Sequence, residues 1–233
     1  MMQSNGTVNI ILVPGAWADG SSWSRVIEPL QKQGYRVLTA PLPLTSLSDD
    51  RIALDRTIER TSGPVILAAH AYAGAVIGAT AHERVKGLIF VAALTPDAGE
   101  TVADLFYKGT PHAMAPQLAP TSDGYIWMPD EGFKNAFAQN VTESQARLLS
   151  AVQRPIAIRC IQEQAPAPLW KSKPSWFLVA EEDRMINPTT QHFEADRMRA
   201  TTETAKVDHT PLITAPGLVV ELILKAARSA GSH

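Results

Sequence analysis

The sequence is poor in cysteine, in unbalanced charge and in long apolar runs, and each shortage removes a class of protein. Cys160 is the single cysteine, so no disulfide can form within the chain and a reducing, cytoplasmic compartment is expected. Lysine and arginine total 21 against 23 acidic residues, a formal charge of −2, and no basic run exceeds two residues. That balance argues against a nucleic-acid partner. No stretch approaches the roughly 18 apolar residues that span a bilayer, so no membrane partner is expected. Met1–Gly6 lacks the charged and apolar regions of a signal peptide, and Gly231–His233 reads as a frayed tail. No two His or Cys residues fall at metal-ligand spacing, and Glu181-Glu182-Asp183 reads as a strand end, so no metal is expected. Gly15 and Gly20 lie in a loop of the wrong pattern for a phosphate cradle, and no cofactor is expected.

What is present fits one globular domain with an insertion: 233 residues, 45% hydrophobic and 19% charged. Short apolar runs alternate with helical stretches. Val8–Val13, Tyr35–Ala40, Val65–Ala69, Val85–Leu94, Trp176–Ala180 and Thr204–Val207 read as strands. Helices are expected over about 22–33, from a Ser46 or Ser48 cap to about 61, after residue 74, over 188–198 and over 216–228. This alternation predicts an α/β fold with a doubly wound, mostly parallel sheet covered on both faces. Ligands of such sheets bind at the carboxyl ends of the strands, where loops 14–20, 70–74 and 95–100 gather. Between residues 97 and 173 the pattern breaks, with Pro111, Pro116, Pro120 and Pro129 followed by helical stretches at 131–139 and 142–151. We read 97–173 as an inserted cap or lid, and 1–96 with 174–233 as the core. The cap could equally supply a homodimer contact.

The stretch Pro64–Thr80 carries the chemistry. An apolar strand runs into His70-Ala71-Tyr72-Ala73-Gly74 and then into a helix of small residues. This is the outline of the strand–turn–helix nucleophile elbow, G-x-S-x-G. Here its frame reads Ala69-His70-Ala71-Tyr72-Ala73, with a methyl group at the nucleophile position.

With Leu12-Val13-Pro14-Gly15-Ala16-Trp17 before the elbow, Asp183 after a late strand and His209 near the end, the chain resembles the α/β-hydrolase superfamily. It is most similar to the small esterase and hydroxynitrile-lyase-like branch. Phe90-Val91-Ala92-Ala93 before Pro96-Asp97 adds to the likeness, which covers about 7–100 and 172–228. Pro14 departs from the usual first-loop histidine, and Ala71 departs from the nucleophile. The resemblance implies an α/β-hydrolase fold with His209 as general base and Asp183 holding its tautomer. Asp97, at the end of the preceding strand, is the alternative acid, whereas Asp208 is too close in sequence to orient His209. The backbone amides of Ala16 and Tyr72 would form the oxyanion hole.

Trp17, Trp23, Tyr72, Tyr107, Trp127 and Trp170 could line an apolar pocket, and Trp17, Tyr107 and Trp127 are taken as substrate-binding. His70 is expected to pack into the core, and His82, His112 and His192 to lie at the surface. Ala71 leaves three readings open. They are a serine replaced by design in an esterase, a natural alanine in an enzyme without covalent catalysis, and a chain that binds a small molecule without turnover. Ala69 and Ala73 also replace the elbow glycines, which points to natural alanine. The expected partner is a small carbonyl- or ester-like substrate.

Overall fold

The computed structural model describes residues 8–230; Met1–Gly6 and Gly231–His233, read above as lacking a leader and as a tail, lie outside them. In chain order the elements begin β1 (Asn9–Val13), α1 (Ser24–Lys32), β2 (Arg36–Thr39), α2 (Leu47–Glu59), β3 (Val65–His70), α3 (Ala73–Ala79) and β4 (Val85–Val91). An excursion follows, with α4 (Val102–Phe106), β5 (Tyr125–Ile126), α5 (Asp130–Gly132), α6 (Glu143–Ala151), β6 (Ile156–Ala157) and α7 (Ile158–Gln162). The chain closes with β7 (Ser175–Ala180), α8 (Pro188–Met198), β8 (Thr201–Ala205), α9 (Pro211–Thr214) and α10 (Pro216–Ala230).

Six strands form one parallel sheet in the order β2-β1-β3-β4-β7-β8. The continuous apolar strands are those buried on both faces. In β3, Val65, Leu67 and Ala69 point into the core built with α2, α3 and α8, whereas Ile66 and Ala68 point into the core built with α1 and α10. The period of two thus feeds two separate apolar layers. Ser46 caps α2 by accepting from Asp49 N–H. Gly34, at φ +86°, ends α1 in the left-handed region that favours glycine.

Several boundaries differ from expectation for local reasons. β4 stops at Val91, three residues early, because the chain turns at Ala92 (φ 44°). β8 begins at Thr201 instead of Thr204, since this edge strand is half-exposed and its threonines carry no apolar signal. The helix expected over 131–139 is a single turn of α5 followed by a π-helical turn, Phe133–Phe137. Asp49 and Asp50 lie in the first turn of α2, and Asp50 is fully buried. No helix among the described residues is long and apolar enough to cross a membrane.

Candidate active site

β1, β3, β4 and β7 all end at the same edge of the sheet, and their following loops bring distant residues together. At the end of β3 the chain reverses through Ala71, whose φ of 50° is rare for a residue with a side chain. Such a conformation costs about 1–2 kcal/mol. It is held by Ala71 N–H donating to Val91 O (3.2 Å) and by Ala71 O accepting from Gly74 N (3.0 Å) and Leu94 N (3.1 Å). Two glycines let neighbours close on this turn. A Cβ on Gly74 would lie 2.5 Å from Leu94 O, and one on Gly15 would lie 2.9 Å from His70 O and 3.2 Å from Ala71 Cβ. The first loop and the end of β4 therefore both rest directly on the elbow.

His209 follows β8 and is buried, with Nδ1 2.8 Å from Asp183 Oδ2. Asp183 itself sits in a cage. Its Oδ1 accepts from Met185 N (2.7 Å) and Ile186 N (2.9 Å), and its Oδ2 also accepts from Gln191 Nε2 (2.8 Å). Gln191 is fixed in turn by accepting from Ala180 N and donating to Ile186 O. Both oxygens of this buried carboxylate are thus satisfied, by four hydrogen-bond partners in all. Asp97, the alternative acid, pairs with Lys171, and the carboxylate hydrogen-bonded to His209 is that of Asp183. Asp208 accepts from Thr210 N, Thr214 Oγ1 and Asn140 N, and shapes the loop that carries His209.

His70 packs in the core as expected, yet it also makes a polar link, its Nε2 lying 2.7 Å from His209 O. A carbonyl can only accept, so Nε2 carries the proton. Burial, with His209 beside it, pushes the ring down to about 3, which keeps it neutral. His112 is exposed, whereas His82 and His192 are half-buried, His192 against Glu181 at 2.8 Å.

A cavity of about 60 Å³ opens beside Ala71 and His209. Of the expected residues, Ala16, Trp17, Ala71, Tyr72, Tyr107 and His209 line it. Trp127 does not. Ile126 and Met128 face inward, so the alternation turns Trp127 outward, where it is 48% exposed. Trp23 is buried under α1, and Trp170 lies near Arg197 and Lys171 instead of the cavity.

Two further participants carry no signal in the sequence. Phe137 sets its ring edge against His209 at 5.3 Å between centroids, and also contacts Trp17 and His70. The π-helical turn brings it there, held by Gln139 Nε2 donating to Glu182 O and Arg184 Nη1 donating to Asn135 O. Gln191 was invisible because a buried polar residue inside a helix breaks no pattern. Among the described residues no group of three His, Cys, Asp or Glu side chains is placed to hold a metal.

A family model described as alpha/beta hydrolase family matches residues 10–222. Among solved structures, a pyrethroid hydrolase from Sphingobium faniae JZ-2 superposes with a TM-score of 0.83 at 21% identity, over 97% of this chain and 100% of its own. A polyneuridine aldehyde esterase gives 0.82 at 16% identity, over 94% and 98%. An extracellular alpha/beta-hydrolase from a Paenibacillus species, described as sharing structural and functional homology with tobacco salicylic acid binding protein 2, gives 0.77 at 21% identity, over 94% and 98%. At these identities the likeness establishes the fold. No curated protein sequence matches significantly.

Proposed function

The chain belongs to the alpha/beta hydrolase family, and on that premise we propose that it is a general-base enzyme for small, largely apolar carbonyl compounds, esters among them. His209 takes the proton and Asp183 holds its ring. No covalent intermediate forms, because Ala71 offers no hydroxyl. The observation that carries this reading is the buried Asp183–His209 bond of 2.8 Å at the wall of an apolar cavity. A histidine so held has its proton on Nδ1 and its lone pair on Nε2. The proton it removes belongs to a water that attacks the carbonyl carbon, or to a carbon beside the carbonyl.

Either step places negative charge on the carbonyl oxygen. The amides of Ala16 and Tyr72 donate to no protein acceptor among the described residues, which supports them as the donors for that charge. No lysine or arginine lines the cavity. A substrate carboxylate buried there would meet no permanent cation, so neutral substrates are favoured. The cavity admits a small head group, and anything larger extends outward past Tyr107, which is 58% exposed.

The test uses two probes, 4-nitrophenyl acetate for hydrolysis and acetophenone in D2O for exchange of its methyl protons. At least one reaction should proceed, and His209→Ala should slow it by about 10²–10⁴. An undiminished rate in His209→Ala overturns the general-base role. Saturable probe binding with neither reaction would make the chain a binding protein.

A further inference from the structure

Behind the turn lies a buried polar cluster that the dyad does not use. Asp50, on α2, is fully buried. Its Oδ1 accepts from Leu44 N at 2.7 Å, and its Oδ2 accepts from the Tyr72 hydroxyl at 2.7 Å. The Cys160 thiol, on α7, lies 3.7 Å from the same Oδ2. No cation pairs with Asp50 among the described residues, so three neutral donors hold its charge. The groups that face it are Tyr72 from the start of α3, Cys160 from α7 and the Leu44 amide from the loop before α2. Asp49, on its own helix, is the nearest other acid.

Tyr72 therefore has two ends. Its backbone sits one residue past position 71 at the wall of the cavity, and its hydroxyl is anchored on α2. Leu44, which also holds Asp50, stands at φ 60° and accepts from Ala157 N in the excursion. The anchor thus joins α2, the elbow and the excursion at one carboxylate.

We propose that Asp50 is a positioning residue: through the Tyr72 hydroxyl it fixes the backbone amide after position 71 in the orientation that receives a developing oxyanion. The proposal rests on the reading of that amide given above, and it deepens it by naming what holds the amide in place. Burial, opposed by the three donors, lifts the Asp50 carboxyl to about 6. The same surroundings raise the Tyr72 hydroxyl well above its ordinary range, and burial pushes the Cys160 thiol up to about 12. Both remain donors at neutral pH, and Asp50 alone changes charge there. Its protonation turns a charge-assisted bond into a neutral one and loosens the anchor.

The chain has four tyrosines, so protein labelled with ¹⁵N-tyrosine gives few amide signals, and Tyr72→Phe identifies that of residue 72. In the wild type this amide should shift with pH in one step centred near 6, and in Asp50→Asn the step should vanish. A flat profile in the wild type, or the same step in Asp50→Asn, overturns the proposal. Should Asp50→Asn fail to fold, Tyr72→Phe carries the test, since it removes only the hydroxyl. Labelled with ¹⁵N-phenylalanine, its residue-72 amide should lose the step. With 4-nitrophenyl acetate, Tyr72→Phe should lower kcat about tenfold with KM within about twofold, an effect below the 10² or more expected for outright loss of a donor. An unchanged kcat would also overturn the proposal. If the wild type turns over neither probe, the general-base reading fails on its own, and the amide titration still decides the role of Asp50.

Discussion

Glu194 offers the sharpest physical test because it is buried without a full set of partners. It sits on α8 at 0% exposure. Its Oε1 accepts from Thr95 N at 2.6 Å, but Oε2 has no partner. Arg197, one turn along, is directed to Glu100 and Thr95 O instead. Burial dominates and lifts the carboxyl from 4.5 to about 8, against the Thr95 amide and the Arg197 charge. The folded state therefore binds this proton more tightly than the unfolded chain does. Its stabilising effect is complete below pH 4.5 and is lost as pH rises through 8. Over the whole window the loss comes to about 5 kcal/mol, of which about 3 kcal/mol is gone by pH 7. Glu194→Gln keeps an acceptor for Thr95 N and cannot ionise. Urea unfolding from pH 4.5 to 8.5 should show the variant gaining on the wild type steadily, by several kcal/mol at the alkaline end. At about 2–4 °C per kcal/mol the difference should also be plain in Tm. Asp50 adds a slope of the same sign below pH 6, but it is common to both proteins and cancels. Parallel curves for the two proteins would refute the account of Glu194 as a neutral, buried acid.

Gln191→Leu should strand Ala180 N and remove a donor from Asp183, costing about 1–3 kcal/mol for each group left unpaired. Calorimetry reads that loss, and probe turnover should fall with it. Gly15→Ala would press a methyl against His70 O and Ala71 Cβ, costing about 1–3 kcal/mol by overpacking and displacing the first loop. The measurement is probe kcat beside Tm, and both should drop. Ala71→Ser should allow an acyl-enzyme to form with 4-nitrophenyl acetate, seen as a burst of nitrophenol and a mass increase of one acetyl group. No acylation would show that the turn at residue 71 does not present a hydroxyl to His209.

Much of this arrangement could be read in the chain, and the divisions have physical causes. β1, β3 and β7 declare themselves because strands buried on both faces are continuous apolar runs. The polar edge strand β8 and the π-helical turn at Phe133–Phe137 have no such periodicity, so their bounds were missed. The pairing of His209 with Asp183 was legible because both residues follow strands in the expected order. Their supports were not, because Gln191, His70 and Phe137 act through contacts 8 to 139 residues apart in sequence. Trp127 was misplaced for a simpler reason: it follows the two-residue strand β5, and a shift of one position from Ile126 exchanges pocket for solvent. Asp50 looks in the sequence like any acid in the first turn of a helix, and only the approach of Tyr72 and Cys160 shows its other engagement.

The left-handed turn at Ala71 has a consequence for how such a protein changes over generations. Alanine and serine codons differ at a single base, and the strained backbone that would present a serine is already built and braced by the residues around it. Ala71→Ser is thus one mutational step that needs no repacking of the elbow. The turn at residue 71 therefore accepts either side chain on the same backbone.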